Sequence, residues 1–379
     1  MGTVKYFTHI SQVKGLSESD IESLKKNEDK FAFRANSYYL GLIHWDDPHD
    51  PIRRIIIPNE DELAEWGSLD ASGESRYVRV PGVEHKYTDT ALFISQDTCG
   101  AFCRFCFRKR LFMHDNKEVN RRFDEGIEYI RNHHEIINIL ITGGDPLIMS
   151  TLKIENLLHK LCSIPHIKII RIGTKLPVFN PFRILEDPSL LEMIRRYSSG
   201  EKRLYFMLHI NHPRELTRQS RQAITLLREA GAALCNQTPL IRGVNDNADV
   251  LARLFLDLNR LDVPPYYIFQ CRPTLGNKTY AVPIMDGWRI IEEAKNKVSG
   301  LGRRARFVMS HKTGKIEIIA VTEQETILKY HRNADKSDLG RVFIFKNNPD
   351  AYWLDDFDEY QEYCREHGLE RDTDPFGNW

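Results

Sequence analysis

The stretch ALFISQDTCGAFCRFCFRKRLF, residues 91–112, sets the reading of the rest of the chain. A short apolar run (91–95) leads straight into Cys99, Cys103 and Cys106, spaced C-x3-C-x2-C among Arg104, Arg108, Lys109 and Arg110. Comparable β-branched or aromatic runs recur at 137–142 (INILIT), 167–172 (IKIIRI), 204–210 (LYFMLHI), 232–237 (AALCNQ) and 266–270 (YYIFQ). Amphipathic stretches such as KIENLLHKLCS and RQSRQAITLLREA lie between them. Strand-then-helix units in succession argue for parallel strands joined by helical crossovers.

Six such units fit an α/β fold, a partial (βα)6 TIM-like barrel, in which reactive groups lie at the C-terminal ends of the strands. A doubly wound open sheet is the competing arrangement. Residues 1–85 read as an N-terminal helical and extended region, with a helix after Ser17 and the Pro-bounded segment DPHDPIRRIIIPNEDEL beyond it. Residues 86–302 hold the barrel, and 303–379 read as a β-meander (RARFVMSH, KIEIIAVT, ETILKYHR) followed by an acidic, exposed helix in DDFDEYQEYCREHG. Lys+Arg and Asp+Glu are both 53, so no global field attracts nucleic acid. No run approaches the ~18 apolar residues of a membrane-spanning helix, and no signal-peptide core opens the chain. Seven cysteines, three of them within eight residues, do not suit a secreted disulfide framework. A cytoplasmic protein without nucleic-acid or membrane partners is expected.

The cysteine loop follows the first strand, where a barrel places its chemistry. Structural zinc wants four ligands, usually as two pairs, and here only His114 is at hand to join the three thiols. A cubane 4Fe–4S cluster normally takes four thiolates. Three leave one iron open to a non-protein ligand, as chelation of S-adenosylmethionine (SAM) requires. Phe105 sits where a flat ring could pack on adenine. In ITGGDPL the two glycines allow close backbone approach and Asp145 adds a carboxylate; a tight turn with a helix-capping Asp is the plainer reading. His209, Asn211, Asn236, Gln237 and Gln270 end later strands and suit a polar pocket as a set.

The spacing resembles the radical SAM superfamily. The longer text, from about residue 38 to 330, resembles lysine 2,3-aminomutase and its relatives, through DPIRRIIIP, the cysteine loop, ITGGDPLIMS, IKIIRIGTKLPV, HINHPREL, NQTPLIRGVND and YYIFQC followed by LG. The resemblance implies a SAM-cleaving 4Fe–4S cluster on Cys99, Cys103 and Cys106, and pyridoxal 5′-phosphate (PLP) as a further cofactor. It assigns Gly143, Gly144 and Asp145 to the aminoacyl part of SAM, Arg108 to the substrate carboxylate and Lys315 to PLP, with Lys312 as a second candidate. His209, Gln237 and Gln270 join the cofactor-binding set.

The chain also departs from that family. HKTGK reads equally as a β-hairpin turn. The family's phosphate-contacting arginines correspond to Lys86 and Thr90, so at most one cation is expected there. The two aspartates that hold lysine's distal ammonium correspond to Arg272 and Ser310, and a guanidinium there repels an ammonium. The expected activity is 1,2-amino migration, through a 5′-deoxyadenosyl radical, in a small amino acid other than lysine, an acidic side chain being the natural replacement. The alternatives are PLP-independent hydrogen abstraction from another small substrate and a non-catalytic Fe–S protein. A flavodoxin- or ferredoxin-type electron donor and a homo-oligomer are the expected partners.

Overall fold

The computed structural model describes residues 4–113, 118–119, 122–198, 200–335 and 338–366. In the N-terminal region β1 (Tyr6–Phe7) and β2 (Ala35–Asn36) form a small antiparallel pair. The helix expected after Ser17 spans Glu18–Lys30, and the Ser17 hydroxyl accepts from the Asp20 N–H at its start. In DPIRRIIIP, Asp50 caps the helix Pro51–Ile56, accepting from the N–H groups of Ile52 and Arg53.

A single twelve-stranded sheet organises the rest. It begins with β3 (Val78–Val80) and β4 (Val83–Tyr87), antiparallel to each other and to β5 (Thr90–Gln96). From β5 the sheet is parallel through β6 (Asn138–Gly143), β7 (Ile169–Thr174), β8 (Arg203–Leu208), β9 (Ala233–Pro239), β10 (Pro265–Phe269) and β11 (Arg306–Ser310). It closes with antiparallel β12 (Gly314–Val321), β13 (Glu325–Asn333) and β14 (Val342–Lys346). Neighbouring strands follow chain order throughout, without the reversal a doubly wound sheet requires. With β3 and β14 left as edges, the sheet is a partial barrel and not a closed one.

The crossovers are helical because their apolar residues recur at helical spacing. Thr151–Cys162, capped by Ser150, buries Ile154, Leu157, Leu158 and Leu161; Ala248–Arg260, capped by Asn247, buries Leu251, Leu254, Phe255 and Leu258. Each such buried side chain contributes roughly 1.5–3 kcal/mol. Enough one-sided burial holds the helices on the sheet and fixes its inner face.

Two readings of the C-terminal region are corrected. Arg306–Ser310 does not open the meander: Ile268 pairs with Phe307 in parallel register, so β11 is a seventh parallel strand, with the helix Ile284–Asn296 as its crossover. The acidic helix, Asp358–Glu366, is not exposed all round. Tyr360 is buried against Phe343 and Phe345, and Tyr363, one turn on, also meets Phe343. Aromatic residues three apart give the helix one packed face despite its charge.

Candidate functional site

The cysteine loop leaves the C-terminal end of β5 and is pinned by the end of β6. Gly144 N–H donates to the Gln96 carbonyl at 2.5 Å and Asp145 N–H to that of Thr98 at 2.8 Å. A Cβ on Gly143 (φ +116°) would fall 2.4 Å from the Gln96 oxygen, and one on Gly144 2.4 Å from that of Thr98. The two glycines therefore admit the chain's own cysteine loop. Asp145 is buried, and its carboxylate accepts from Thr174 Oγ1 (2.7 Å), Lys175 N–H (2.8 Å) and Leu147 N–H (3.1 Å). It caps the short helix after β6 and ties that strand to β7. Burial pushes its pKa up.

A cavity of about 310 Å³ runs through the barrel, and most of the residues singled out above line it. At the C-terminal ends of the strands are Cys99, Cys103, Cys106, Phe105, Gly143, Gly144, Asp145, His209, Gln237 and Gln270; Lys86, Arg108, Arg272 and Lys315 line the remainder. Burial pushes all three thiols up, Cys103 to about 12, and each thiolate would repel the others. A cationic metal centre reverses that balance. Among the described residues no three His, Cys, Asp or Glu side chains converge on one ion, as zinc requires; His114 lies outside them. A cubane is met differently, by one thiolate per iron, and the three thiols that line the cavity suit it.

The loop's positive charges do not face solvent. Arg104 forms a buried pair with Glu62 at 2.7 Å. Arg110 bonds Glu74 at 2.7 Å and Glu118 at 2.9 Å. Lys109 is buried with Nζ 4.3 Å from the Phe31 ring centroid, and burial lowers its pKa to about 8. The reason lies in residues 1–85, which bring Glu62 and Glu74 over the loop.

Glu74 is the residue the sequence did not disclose. Arg108 grips it with Nε at 3.1 Å and Nη2 at 2.9 Å, while Nη1 donates to Thr142 Oγ1 at 3.2 Å. The fork that the resemblance assigns to a substrate carboxylate is therefore filled by the chain's own. Burial alone would raise Glu74's pKa, but Arg108, Arg110 and Arg272 hold it well below the usual carboxylate range. Glu84 beside it goes the other way, pushed up to about 8 by burial and by Glu74's charge, and its Oε1 has no hydrogen-bond partner. Arg272 stacks on Phe107, Cζ 3.5 Å from the ring centroid, with Nη1 3.6 Å from Glu74. That Nη1 is buried and makes no hydrogen bond, and burial lowers the group's pKa to about 10.

HKTGK forms the hairpin turn. Gly314 N–H closes the turn onto the His311 carbonyl at 3.1 Å, and Ser310 pairs with Lys315 across β11 and β12. The same hairpin places Lys315 in the cavity, Nζ 4.2 Å from the Tyr267 ring centroid. Lys312 does not line the cavity and pairs with Asp355 at 3.4 Å. Burial, then Arg171, Arg332, Arg272 and Lys86, push the Lys315 pKa well below that of an ordinary lysine. Lys86 donates to the His311 carbonyl at 2.5 Å, and burial and Arg272 lower its pKa to about 7. Both Nη atoms of Arg332 lie 3.4 Å from Thr90 Oγ1, so the cation thought missing at position 90 arrives from β13.

The polar strand ends divide. His209 and Gln237 line the cavity, the former with its pKa well below 6.5 through burial and Lys175. Gln270 lines it but acts as a strut, its Nε2 donating to the carbonyls of Val282 and Tyr352 at 2.7 and 3.0 Å. Asn236 and Asn211 do not line it. Asn236 bonds both backbone groups of Ile210, and Asn211 accepts from Lys175 Nζ, which also meets Glu215 at 2.5 Å. Phe105 sits edge-on to His209 and Tyr280, centroids 6.2 and 6.0 Å away. Lys175 and Arg171 line the cavity and were missed, although each falls inside a segment that carried the resemblance; Glu215, in another such segment, is the buried partner of Lys175.

A partial barrel with three thiols on the loop after its first parallel strand defines the radical SAM class, and the profile described as Radical SAM superfamily matches residues 93–255. A protein of Aquifex aeolicus (strain VF5) described as "Putative L-lysine 2,3-aminomutase" is 52% identical over 357 residues, 94% of this chain and 96% of that one. The L-lysine 2,3-aminomutase of Acetoanaerobium sticklandii is 36% identical over 75% of this chain and 68% of its own. The glutamate 2,3-aminomutase of Clostridioides difficile (strain 630) is 33% identical over 80% and 71%. The chain belongs to the lysine 2,3-aminomutase-like family of radical SAM enzymes.

Proposed function

We propose that the protein is a PLP-dependent aminomutase that moves an amino group between adjacent carbons of a small amino acid other than lysine, one with a carboxylate at the far end of its side chain. The observation that carries this reading is Lys315, an amine whose pKa is pushed well below an ordinary lysine's, in the cavity that the three thiols line. When bound, a 4Fe–4S cluster on Cys99, Cys103 and Cys106 with SAM supplies a 5′-deoxyadenosyl radical, and PLP supplies the conjugated system across which nitrogen moves.

The chain's own residues bind and orient. Lys315, its pKa lowered first by burial, offers the free amine that attacks an aldehyde more readily than an ordinary lysine does. Arg272 offers an unpartnered N–H inside the cavity, which a distal carboxylate satisfies and an ammonium does not. Glu74 keeps Arg108 engaged, so Arg272 has the freer guanidinium. Phe105, Gly143, Gly144, Asp145, His209 and Gln237 lie beside the thiols, where SAM would be held. The Glu62 and Glu74 ion pairs fasten the N-terminal region over the cysteine loop and exclude water from it. That one relative is a glutamate 2,3-aminomutase supports an acidic substrate within this family.

The test is mass spectrometry of glutamate, aspartate and lysine incubated with anaerobically reconstituted, reduced protein, SAM and PLP. A β-amino product from an acidic substrate is expected. Isomerisation of lysine alone would overturn the role of Arg272. Absence of a borohydride-trapped adduct on Lys315 would overturn the role of PLP.

A further inference from the structure

We infer that Arg171 of β7 and Arg332 of β13 together form a binding site for a phosphate dianion, making the C-terminal meander part of the cofactor site. The inference rests on the reading of Lys315 as the PLP lysine and adds where the phosphate goes.

Both arginines line the cavity. The hydrogen bond recorded for Arg171 goes to a neutral amide, Nε to Asn138 Oδ1 at 2.9 Å. Arg332 reaches Asp89, whose side chain is 55% exposed, and leans on Thr90; its guanidinium carbon lies 4.2 Å from the Tyr87 ring centroid. In the β12–β13 register Arg332 stands directly opposite Lys315. Two basic groups so placed repel each other whenever both are protonated. Lys86 adds a further cationic group to the same wall. Asp89, half-exposed, is the carboxylate that acts on both guanidinium groups; Glu74, Glu84 and Asp70 act on Lys86 instead, so a bound anion would offset the charge of the arginine pair.

The chemistry of the donors selects the anion. Two planar guanidinium groups from different strands can share the oxygens of a phosphate, each through paired charge-assisted hydrogen bonds. Thr90 and Arg171 lie in the N-terminal halves of β5 and β7, whereas the cysteine loop leaves the C-terminal end of β5. The site is therefore at the opposite end of the strands from the thiols, with Lys315 facing the cavity beside it.

The test uses the reconstituted full chain and three probes: PLP, pyridoxal and inorganic phosphate. Borohydride trapping on Lys315, read by mass, gives the affinity for each aldehyde. Arg332→Met and Arg171→Met should each weaken PLP roughly tenfold to a hundredfold and change pyridoxal far less. Arg332→Lys, which keeps the charge and loses the fork, should fall between. Inorganic phosphate should raise the melting temperature of the wild type and not of either methionine variant. Equal weakening of PLP and pyridoxal, or unchanged PLP affinity, would overturn the phosphate site while leaving Lys315 in place. A wild type that traps neither aldehyde would instead overturn the PLP reading, and the phosphate-dependent melting would still decide the anion site.

Discussion

The two ends of the cavity are built in opposite ways. At the thiol end, three acids from eight consecutive positions are kept protonated by burial and by one another. At the lysine end, bases from four strands, Lys86, Arg171, Lys315 and Arg332, crowd together, and burial and mutual repulsion lower the pKa of Lys315. On the roles proposed above, one end would take a cationic metal centre and the other an anion. Between them Glu74, ringed by Arg108, Arg110 and Arg272, keeps the middle near balance. A short motif suffices where one loop must wrap one inorganic centre. A cofactor with a phosphate and an aldehyde several ångströms apart needs side chains from several strands.

If the ends are independent, damage to one should spare the other. Cys103→Ala removes an iron ligand, and reductive release of deoxyadenosine from SAM should fall to background. Borohydride trapping of PLP on Lys315 should persist in that variant. Loss of both together would show that the thiol end organises the lysine end.

The middle is the next place to break the comparison. Glu74→Gln strands three buried guanidinium groups without their shared carboxylate, and uncompensated buried charge costs about 3–5 kcal/mol. Urea denaturation should show a loss of that order, with an unchanged slope. Glu84→Gln should behave differently. Glu84's pKa is raised to about 8 from 4.5. Its folded form therefore holds a proton that the unfolded form has released between those values, and wild-type stability falls as pH rises through that window. The Gln variant should lose that fall, matching wild type near pH 4.5 and exceeding it near pH 9. A parallel pair of stability curves would mean that Glu84 ionises normally.

The same contrast explains what the sequence could disclose. The strand–helix alternation and the loop at 96–112 are local patterns, and the structure keeps both. The partial barrel and the thiols were legible for that reason. Lys315 was singled out by the resemblance alone and stayed ambiguous by chemistry, because a hairpin turn and a cavity lysine make the same demands on HKTGK. Arg332 was not legible at all. It reads as an ordinary polar position in ETILKYHR, and only the β12–β13 register sets it against Lys315 and Thr90. Glu74 sits in SGESRY, where nothing marks it as the partner of a loop more than thirty residues later. Charge balance across a fold belongs to topology, and composition that is neutral overall says nothing of where each sign is placed.

The smallest expected effect is also the most direct reading of the lysine end. An ordinary lysine, with a pKa near 10.4, gains about tenfold in free amine per pH unit below that value. Lys315 is held well below it, first by burial and then by Arg171, Arg332, Arg272 and Lys86. Above its own pKa the amine is already free, so the rate of adduct formation with pyridoxal should flatten at a lower pH than that of a lysine peptide, which keeps rising. Pyridoxal is the right probe because it carries no phosphate for Arg171 and Arg332 to hold. Arg332→Met removes the cation directly across the sheet, so the Lys315 pKa should rise and some slope return. A steep profile in the wild type would mean that water or anions screen the cluster, and that Lys315 is an ordinary lysine on a crowded wall.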